Sequence, residues 1–369
     1  MNTKKRIGIL TSGGDCPGLN PVIRTVVSHA TLTYGWDVVG IPYATQGLQE
    51  GKAIPLTMHS LDLCGIDPLL CMGGTILGTI NKGDTLNNTD AILAGYKTLG
   101  LDALIAIGGD GSLAILHTLA LRGGWELIGI PKTIDNDVAV TERAIGFDTA
   151  VNTIIDALNR LSFTAASHDR VMVVEVMGRK AGHLALHVGI AGGADAILIP
   201  EIPYSITGVC QHLRELRERW HRKSAIVLVA EGIEPIGLGF TPDGTPIAQP
   251  PRHGMGQYIA DHILEADPHL DVRVSVLGHI QRGGMPLALD RLMAAAFGKT
   301  AVDLVAEGKT DQMVTWQGSR VVPVPMAEVL AQSPRSVDPN SYLVQTAEAL
   351  GIYIGDRTLA AAAKLPALV

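Results

Sequence analysis

The sequence predicts an α/β fold of two lobes, each built on a mainly parallel, Rossmann-like sheet. Short aliphatic and β-branched runs alternate along the chain with helix-like stretches, a pattern typical of parallel strands covered by helices on both faces. The length of 369 residues suggests two domains, at about 150 residues per domain. Glycine is frequent, at 42 residues, and several glycines directly follow predicted strands, where ligand-binding loops occur in such sheets.

The predicted strands are short runs rich in aliphatic and β-branched residues. They span residues 7–10, 36–41, 102–107, 127–130, 171–176, 196–199, 225–229 and 272–277. Helices are predicted over 22–29, from the loop at 108–112 through 121, and over 148–163, 180–190, 207–220 and 254–266. We expect Asn20 to cap the first helix, with Pro21 at its first position, and Asp148 to cap the helix that runs to Phe163.

Composition excludes several classes of protein. Hydrophobic residues make up 47% and charged residues 18% of the chain, which is typical of a folded protein and not of a disordered one. The net charge of -7 argues against binding to nucleic acid or to anionic membranes, and no apolar run is long enough to cross a bilayer. The four cysteines show no CxxC spacing and no signal peptide is evident, so we expect a cytoplasmic protein with reduced thiols.

Two glycine loops follow predicted strands. The first reads TSGGDCPGLN at 11–20 and the second reads GGDGS at 108–112. Glycine lets the backbone approach a ligand closely, and the helix that follows presents free N–H groups to phosphate. Neither loop matches the common dinucleotide or Walker motifs, and either one alone is compatible with an ordinary turn. Together, each with an aspartate, they favour a phosphate site at which Asp110 suits Mg²⁺.

Carboxylates follow the strand at 127–130 in the segment PKTIDND at 131–137. In extended backbone Asp135 and Asp137 would point to the same side, so that one accepts a proton from an attacking hydroxyl while the other orients it. The alternative is an Asx-turn with a solvated acidic tip, which this segment alone favours.

Charged residues also follow the later strands. Arg179, Arg273 and Arg282 lie at or near predicted strand ends, where guanidinium groups suit sugar-phosphate oxygens. The alternative for each arginine is a surface ion pair. Glu231 suits sugar hydroxyls or is an exposed loop acid, and His279 alone is compatible with a structural histidine.

Six of these segments, in this order, resemble the phosphofructokinase family. They are TSGGDCPGLN at 11–20, IGGDGS at 107–112, PKTIDND at 131–137, VEVMGR at 174–179, AEG at 230–232 and LGHIQRGG at 277–284. The resemblance runs from Arg6 to about Leu304. It implies a phosphofructokinase-like fold, with a nucleotide or phosphate-donor lobe at 1–147 plus about 282–335. The sugar-phosphate lobe is then 148–281 plus about 336–369.

The resemblance implies a role for each matching residue. Asp135 is then the general base toward the C1 hydroxyl of fructose 6-phosphate, Thr133 and Asp137 position the reacting groups, and Arg179 assists catalysis. The residues implied to bind the phosphate donor and Mg²⁺ are Gly14, Lys82, Gly109, Asp110, Gly111 and Ser112, with the metal on Asp110. The residues implied to bind the sugar phosphate are Thr133, Asp135, Met177, Gly178, Arg179, Glu231, His279 and Arg282. Arg170 and Arg273 are implied to reach that site from a neighbouring subunit, so the chain self-associates.

Two positions bear on the choice of phosphoryl donor. Pyrophosphate-using relatives carry aspartate where this chain has Gly111, and lysine where it has Lys132. Because a carboxylate at 111 would repel and crowd the α-phosphate of a nucleotide, we expect ATP as the donor, with pyrophosphate or ADP as alternatives. Asn81 stands where an arginine is usual, and the adjacent Lys82 is its expected substitute. A non-catalytic sugar-phosphate sensor is the remaining alternative.

Overall fold

The computed structural model describes residues 4–58, 67–80, 86–235 and 254–356. Its internal contacts divide the chain into two units. The first comprises Met1–Ala150 and Arg282–Arg335, and the second comprises Val151–Gln281 and Ser336–Val369. The assignment of a donor role to one lobe and a sugar-phosphate role to the other stays a prediction.

The strands and helices of the described residues alternate along most of the chain. The strands are β1 (Arg6–Thr11), β2 (Asp37–Gly40), β3 (Ile54–Leu56), β4 (Ala103–Gly108), β5 (Leu127–Pro131), β6 (Val171–Val176), β7 (Ala196–Leu198), β8 (Ala225–Ala230), β9 (Val272–Val276), β10 (Gln312–Gln317) and β11 (Arg320–Pro325). The helices are α1 (Leu19–Tyr34), α2 (Thr45–Gln49), α3 (Thr89–Thr98), α4 (Asp110–Gly123), α5 (Phe147–Ser167), α6 (His183–Ala191), α7 (Ile206–Glu218), α8 (Met255–Ala266), α9 (Ala288–Ala306), α10 (Met326–Gln332) and α11 (Tyr342–Ala349). Short 3₁₀ turns cover Pro68–Leu70 and Gly278–Arg282.

The first unit contains a seven-stranded sheet in the order β11-β10-β5-β4-β1-β2-β3. Its five inner strands are parallel, whereas β3 and β11 pair antiparallel at the two edges. The inner strands β4 and β5 are buried along their whole length, as expected for parallel strands with helices on both faces. Consequently the carboxyl ends of β1, β4 and β5 lie next to one another along the side of the sheet where the parallel strands end, which we call the carboxyl edge.

A close helix–helix contact supports the first sheet. A Cβ atom at Gly298 of α9 would lie 3.0 Å from the Cβ of Thr25 and 3.3 Å from the carbonyl oxygen of Val22, both on α1. Since that spacing is tighter than ordinary packing contacts, glycine at 298 allows the two helices to approach.

The second unit contains a four-stranded sheet in the order β7-β8-β6-β9, and all its strands are parallel. The predicted α/β fold with mainly parallel sheets is therefore confirmed. No helix among the described residues has the length and apolar character that crossing a membrane requires.

Two predicted helix caps are wrong. Helix α1 begins at Leu19 after Gly18, and the side chain of Asn20 instead donates to the carbonyl oxygens of Met72 and Gly73 at 3.2 and 3.1 Å. Helix α5 begins at Phe147, and the Asp148 carboxylate pairs with Arg143. The partners of Asn20 are more than 50 residues away in sequence, which local patterns do not specify, whereas Asp148 pairs with a charged residue just before the helix.

Candidate active site

The carboxyl edge of the first sheet brings together the loops that carry most of the predicted donor residues. The loop after β1, the start of α4 after β4 and the segment after β5 all leave this edge, because the three strands are parallel neighbours. Ligands of open α/β sheets bind outside this edge. Asp110 and Asp135 thus follow adjacent strands at the same edge.

Gly13 is the point at which the two glycine loops meet. Its φ is +81°, and a Cβ atom there would lie 3.0 Å from the hydroxyl oxygen of Ser112 and 3.2 Å from the ammonium nitrogen of Lys132. The preceding residue, Ser12, donates its backbone N–H to the carbonyl oxygen of Ile107 at 2.9 Å. Only glycine combines this conformation with so close an approach, so the sequence pattern GG is needed for the two loops to meet.

Two cations bind carbonyl oxygens of the first glycine loop. The Lys132 ammonium, 3% exposed, donates to the carbonyl oxygen of Gly14. Arg282 donates through Nη1 to the carbonyl oxygen of Asp15 at 3.2 Å. Arg282 therefore lies against the first glycine loop, and its predicted contact with the sugar phosphate stays a prediction.

Cys16 lies in the same loop and is a structural residue. It is fully buried and its thiol donates to the carbonyl oxygen of Ile145 at 3.3 Å. Burial raises the pKa of this thiol to about 12, so it remains protonated at neutral pH and is a poor nucleophile.

The second glycine loop opens helix α4. Gly109 precedes the helix, which begins at Asp110, so the N–H groups of the first turn and the helix dipole face the carboxyl edge of the sheet. A Cβ atom at Gly111 has no other atom within 4 Å. The space directly beside residue 111 is therefore open.

The carboxylates that follow β5 are buried. Asp135 is 2% and Asp137 is 4% exposed, so the alternative of a solvated acidic tip is wrong. The backbone is not extended either, because Asn136 between them has a φ of +52°, and the backbone N–H of Asp135 donates to the Thr133 hydroxyl at 3.0 Å. An extended backbone therefore does not place Asp135 and Asp137 on the same side, and this prediction is wrong.

A buried carboxylate absent from the predictions supports this loop. Asp290 of α9 is fully buried and accepts the backbone N–H groups of Gly146 and Thr149, each at 2.9 Å. Ile145, next to Gly146, accepts the N–H of Thr133 at 3.0 Å. The signal in the sequence was one acidic residue at the start of a largely apolar stretch, ALDRLMAAAFG.

In the second unit, three predicted sugar-phosphate segments meet at the carboxyl ends of β6, β8 and β9. Arg179, with a φ of +52°, donates its backbone N–H to Glu231 at 2.9 Å. A Cβ atom at Gly232 would overlap the carbonyl oxygen of Arg179, so glycine permits this contact. Met177 donates its N–H to the side chain of Gln281 at 3.1 Å, and Gln281 donates to Gly278 at 2.9 Å.

Gln281 was given no role from the sequence, although its motif was recognised. It is fully buried and joins the segment of Met177 and Gly178 to the turn that carries the exposed His279. Polar side chains buried this deeply are usually retained for the hydrogen bonds they make.

Arg170 and Arg273 lie at the opposite end of the second sheet. Arg170 immediately precedes β6, and Arg273 is the second residue of β9. Both bind Asp271, at 2.9 and 2.5 Å, and the hydrogen bond from Arg170 lowers the pKa of this carboxyl below its ordinary value. Arg273 therefore lies near a strand end, as expected, but at the amino end of β9, and its contact with the sugar phosphate stays a prediction.

The side chains near the two glycine loops provide an oxygen ligand that suits Mg²⁺. Within the described part of the chain they do not form the set of several protein ligands that other metals need. Among the described residues, no group of three or more His, Cys, Asp or Glu side chains could hold a metal ion. Magnesium commonly takes one or two carboxylates and completes its shell with water and substrate phosphates, which fits Asp110. Asn81 and Lys82 lie outside the described residues.

A mainly parallel sheet whose carboxyl edge gathers two glycine loops, a lysine and buried carboxylates is typical of the class of α/β proteins that bind phosphate-bearing ligands. The chain belongs to the phosphofructokinase family, because the model described as Phosphofructokinase matches residues 6–305.

Relatives similar along the whole chain carry more specific names. "ATP-dependent 6-phosphofructokinase 2" of Nostoc sp. is 69% identical over 356 residues, covering 96% of this chain and 100% of the relative. "ATP-dependent 6-phosphofructokinase" of Thermosynechococcus vestitus is 63% identical over 360 residues, covering 97% and 95%.

Solved structures agree on the fold. The phosphofructokinase of Pichia pastoris in the T-state has a TM-score of 0.78 at 31% identity and covers 95% of this chain, which spans 37% of that longer chain. The pyrophosphate-dependent phosphofructokinase of Nitrosospira multiformis has a TM-score of 0.79 at 20% identity, with coverage of 95% and 93%. At that identity the second likeness concerns the fold alone.

Proposed function

We propose that the protein transfers the γ-phosphoryl group of ATP to the C1 hydroxyl of fructose 6-phosphate, which yields fructose 1,6-bisphosphate and ADP in glycolysis. The observation that carries this proposal is that relatives more than 60% identical along the whole chain are ATP-dependent 6-phosphofructokinases. The chain also keeps residues suited to each part of the reaction.

The donor phosphates bind the two glycine loops. Gly14, Gly109, Gly111 and Ser112 supply close backbone approach and N–H groups, and the open space beside Gly111 accommodates the α-phosphate of a nucleotide. Lys132 contributes a positive charge to the same loops. Since its ammonium already binds the Gly14 carbonyl oxygen, a lysine here serves the loop itself and does not require pyrophosphate as the donor.

Asp135 accepts the proton of the C1 hydroxyl while the hydroxyl oxygen forms a bond to the γ-phosphorus. The bond from that phosphorus to the bridging oxygen breaks, and ADP leaves with the bonding electron pair. Thr133 and Asp137 orient the reacting groups in the loop. Phosphoryl transfer depends mainly on such positioning and on charge neutralisation.

Asp110 would hold Mg²⁺ together with phosphate oxygens of the donor, directly or through water. The ion supplies positive charge that offsets the charge of the phosphates. Lys82 is proposed as a further donor contact on the basis of the sequence alone.

The sugar phosphate binds the segments that meet in the second unit. Met177, Gly178, Arg179, Glu231 and His279 supply two backbone positions, one guanidinium, one carboxylate and one imidazole at the carboxyl ends of β6, β8 and β9. We assign a phosphate contact to Arg179 and hydroxyl contacts to Glu231. A further phosphate contact by Arg282, which belongs to the first unit, is proposed from the sequence alone.

We further propose that the protein self-associates and that Arg170 and Arg273 complete the sugar-phosphate site of a neighbouring subunit. Within one chain they lie at the amino end of the sheet, whereas Arg179 follows the carboxyl end of the six-residue β6. A strand of this length spans roughly 20 Å, so these arginines are better placed to serve another copy. A cytoplasmic location stays a prediction that cell fractionation tests.

One kinetic panel tests the proposed reaction. Purified protein is assayed with ATP, ADP or pyrophosphate against fructose 6-phosphate or sedoheptulose 7-phosphate, with and without Mg²⁺. We expect the highest kcat/KM for ATP with fructose 6-phosphate and a strict need for Mg²⁺. Phosphorylation with pyrophosphate but not ATP would reverse the donor assignment, and no transfer from any donor would leave a sugar-phosphate sensor.

A further inference from the structure

The Asp135 loop is held from a distant part of the chain. Its residues are buried, with Asn136 and Asp137 2% and 4% exposed, and Asn136 has a left-handed backbone. Such a conformation is strained for a residue other than glycine and persists only where surrounding contacts over-determine it. The side chain of Asn136 supplies two contacts, to the carbonyl oxygen of Glu142 at 3.0 Å and from the N–H of Ala144 at 3.2 Å.

Arg335 supplies the contacts on the other side. Its Nη2 donates to the carbonyl oxygen of Asn136 at 3.0 Å, and its backbone N–H donates to the carbonyl oxygen of Asp137 at 2.6 Å. Two residues earlier, the Ser333 hydroxyl accepts the backbone N–H of Ala139 at 2.9 Å. The segment 333–335, about 200 residues away in sequence, therefore binds the backbone of the loop after Asp135 at three residues, Asn136, Asp137 and Ala139.

The charge of Arg335 also matches the loop. The side chain is partly buried, and the guanidinium interacts with the carboxylates of Asp137 and Glu142, although burial lowers its pKa below the ordinary value. Buried carboxylates need a nearby cation or hydrogen bonds to remain ionised. One side chain thus supplies both a hydrogen bond to the backbone and a positive charge that interacts with the buried Asp137.

We propose that Arg335 is a positioning residue for phosphoryl transfer, which fixes the Asn136 carbonyl and thereby the direction in which the Asp135 carboxylate points. The inference rests on the proposed function in that Asp135 is the base. Arg335 acts through the loop backbone and is assigned no contact with either substrate. The guanidinium matters because its Nη2 donates to the Asn136 carbonyl oxygen while its positive charge interacts with the Asp137 carboxylate.

The test compares Arg335→Ala, Arg335→Gln and Arg335→Lys, with Arg320→Ala on the exposed edge strand β11 as the matched control. We expect Arg335→Ala to lower kcat about 10- to 100-fold, as displacement of a catalytic group by about 1 Å does, with both KM values changed less than about threefold. We expect Arg335→Lys to retain more of the wild-type kcat than Arg335→Ala does, and Arg335→Gln to retain less than Arg335→Lys, because lysine keeps the positive charge. Methylguanidine raises kcat of Arg335→Ala and leaves the control unchanged.

Hydrogen exchange of the peptide over 133–139 gives a readout that does not need activity. We expect its exchange in Arg335→Ala to be at least about tenfold faster than in the wild type, with distant peptides unchanged. Unchanged exchange overturns the inference, and so does a folded Arg335→Ala with wild-type kcat or a loss that neither lysine nor methylguanidine reduces. If alanine prevents folding, wild-type kcat in both the lysine and glutamine variants overturns it. A wild-type protein inactive with ATP and fructose 6-phosphate refutes the proposed function, and the exchange result then decides the role of Arg335.

Discussion

The acidic residues after β5 show how burial changes the meaning of a short motif. Taken alone, DND is typical of a turn at the surface, yet Asp135 and Asp137 are almost entirely buried. Burying carboxylates is unfavourable unless hydrogen bonds and cations compensate. A buried carboxylate in a ligand-binding region is therefore a candidate functional residue. Asp135 follows the strand next to the one that carries the second glycine loop, which supports the proposal that it is the general base.

Replacement of Asp135 by asparagine tests that role. The amide keeps the shape of the side chain and cannot accept the hydroxyl proton, so we expect kcat to fall roughly 10²- to 10⁴-fold with little change in either KM. Steady-state kinetics at saturating substrates measure it. Asp37→Asn, at an exposed ion pair with Lys4, is the control and keeps wild-type kcat. An Asp135→Asn enzyme with near wild-type kcat would show that another group is the base.

Gly111 is the residue on which donor choice is expected to depend. A Cβ atom fits at this position without contact, so Gly111→Asp should fold, while its carboxylate repels the α-phosphate of a nucleotide. We expect kcat/KM for ATP to fall at least about tenfold, a change of about 1.4 kcal/mol, and any rate with pyrophosphate to fall less. Gly111→Ala separates charge from volume and should retain most ATP-dependent activity. Equal losses in the two variants would contradict the charge argument.

At the scale of elements, the start of α5 depends on residues outside it. Asp290 of α9 accepts N–H groups of Gly146 and Thr149, which satisfies donors that every helix leaves free at its first turn. Asp148, within that turn, is buried enough to raise its pKa to about 6, and the nearby Asp290 carboxylate adds to the rise while Arg143 opposes it. The sequence predicts the helix but assigns its cap to Asp148 and not to Asp290, because Asp290 is more than 140 residues away in sequence.

The raised pKa of Asp148 predicts a pH-dependent loss of stability. Its pKa is 3.8 in the unfolded chain and about 6 in the folded protein. Between these values the folded state binds the extra proton, so the free energy of unfolding decreases as pH rises, and above about pH 6 the full loss is present. We expect Asp148→Asn to match the wild type near pH 4 and to be more stable at pH 7–8, by roughly 1–3 kcal/mol. Urea unfolding at several pH values measures this difference, and a constant difference across the range would contradict it.

At the scale of the whole molecule, the two ends of the second sheet carry different parts of the proposed site. Arg170 and Arg273 share Asp271 at the amino end, whereas Arg179 and Glu231 meet at the carboxyl end. A symmetric oligomer can bring one end of a sheet to the other end of its neighbour. The proposed self-association is therefore also a proposal about catalysis.

Subunit mixing tests this proposal. Asp135→Asn and Arg273→Ala should each be weakly active alone, yet co-expression should restore about a quarter of wild-type activity in a random dimer, because half the dimers are mixed and each has one intact site. Co-expression of Asp135→Asn with Asp110→Asn is the control and restores nothing, since both residues follow adjacent strands at the carboxyl edge of the first sheet of the same chain. Activity no higher than the sum of the parents would show that Arg273 serves its own subunit, as would a monomer by light scattering.

Local patterns determined the fold class, the positions of most strands and helices, and the segments that carry the glycines and acids. Those features depend on side-chain period and backbone freedom, which act over a few residues. Only the tertiary structure decided that Asp135 and Asp137 are buried, that Arg170 and Arg273 share Asp271, and that the side chains of Asn20, Gln281, Asp290 and Arg335 bind distant loops. These outcomes depend on hydrogen bonds and charges between residues far apart in sequence, whose pairing is set by how the strands are ordered in space and not by any neighbouring residue.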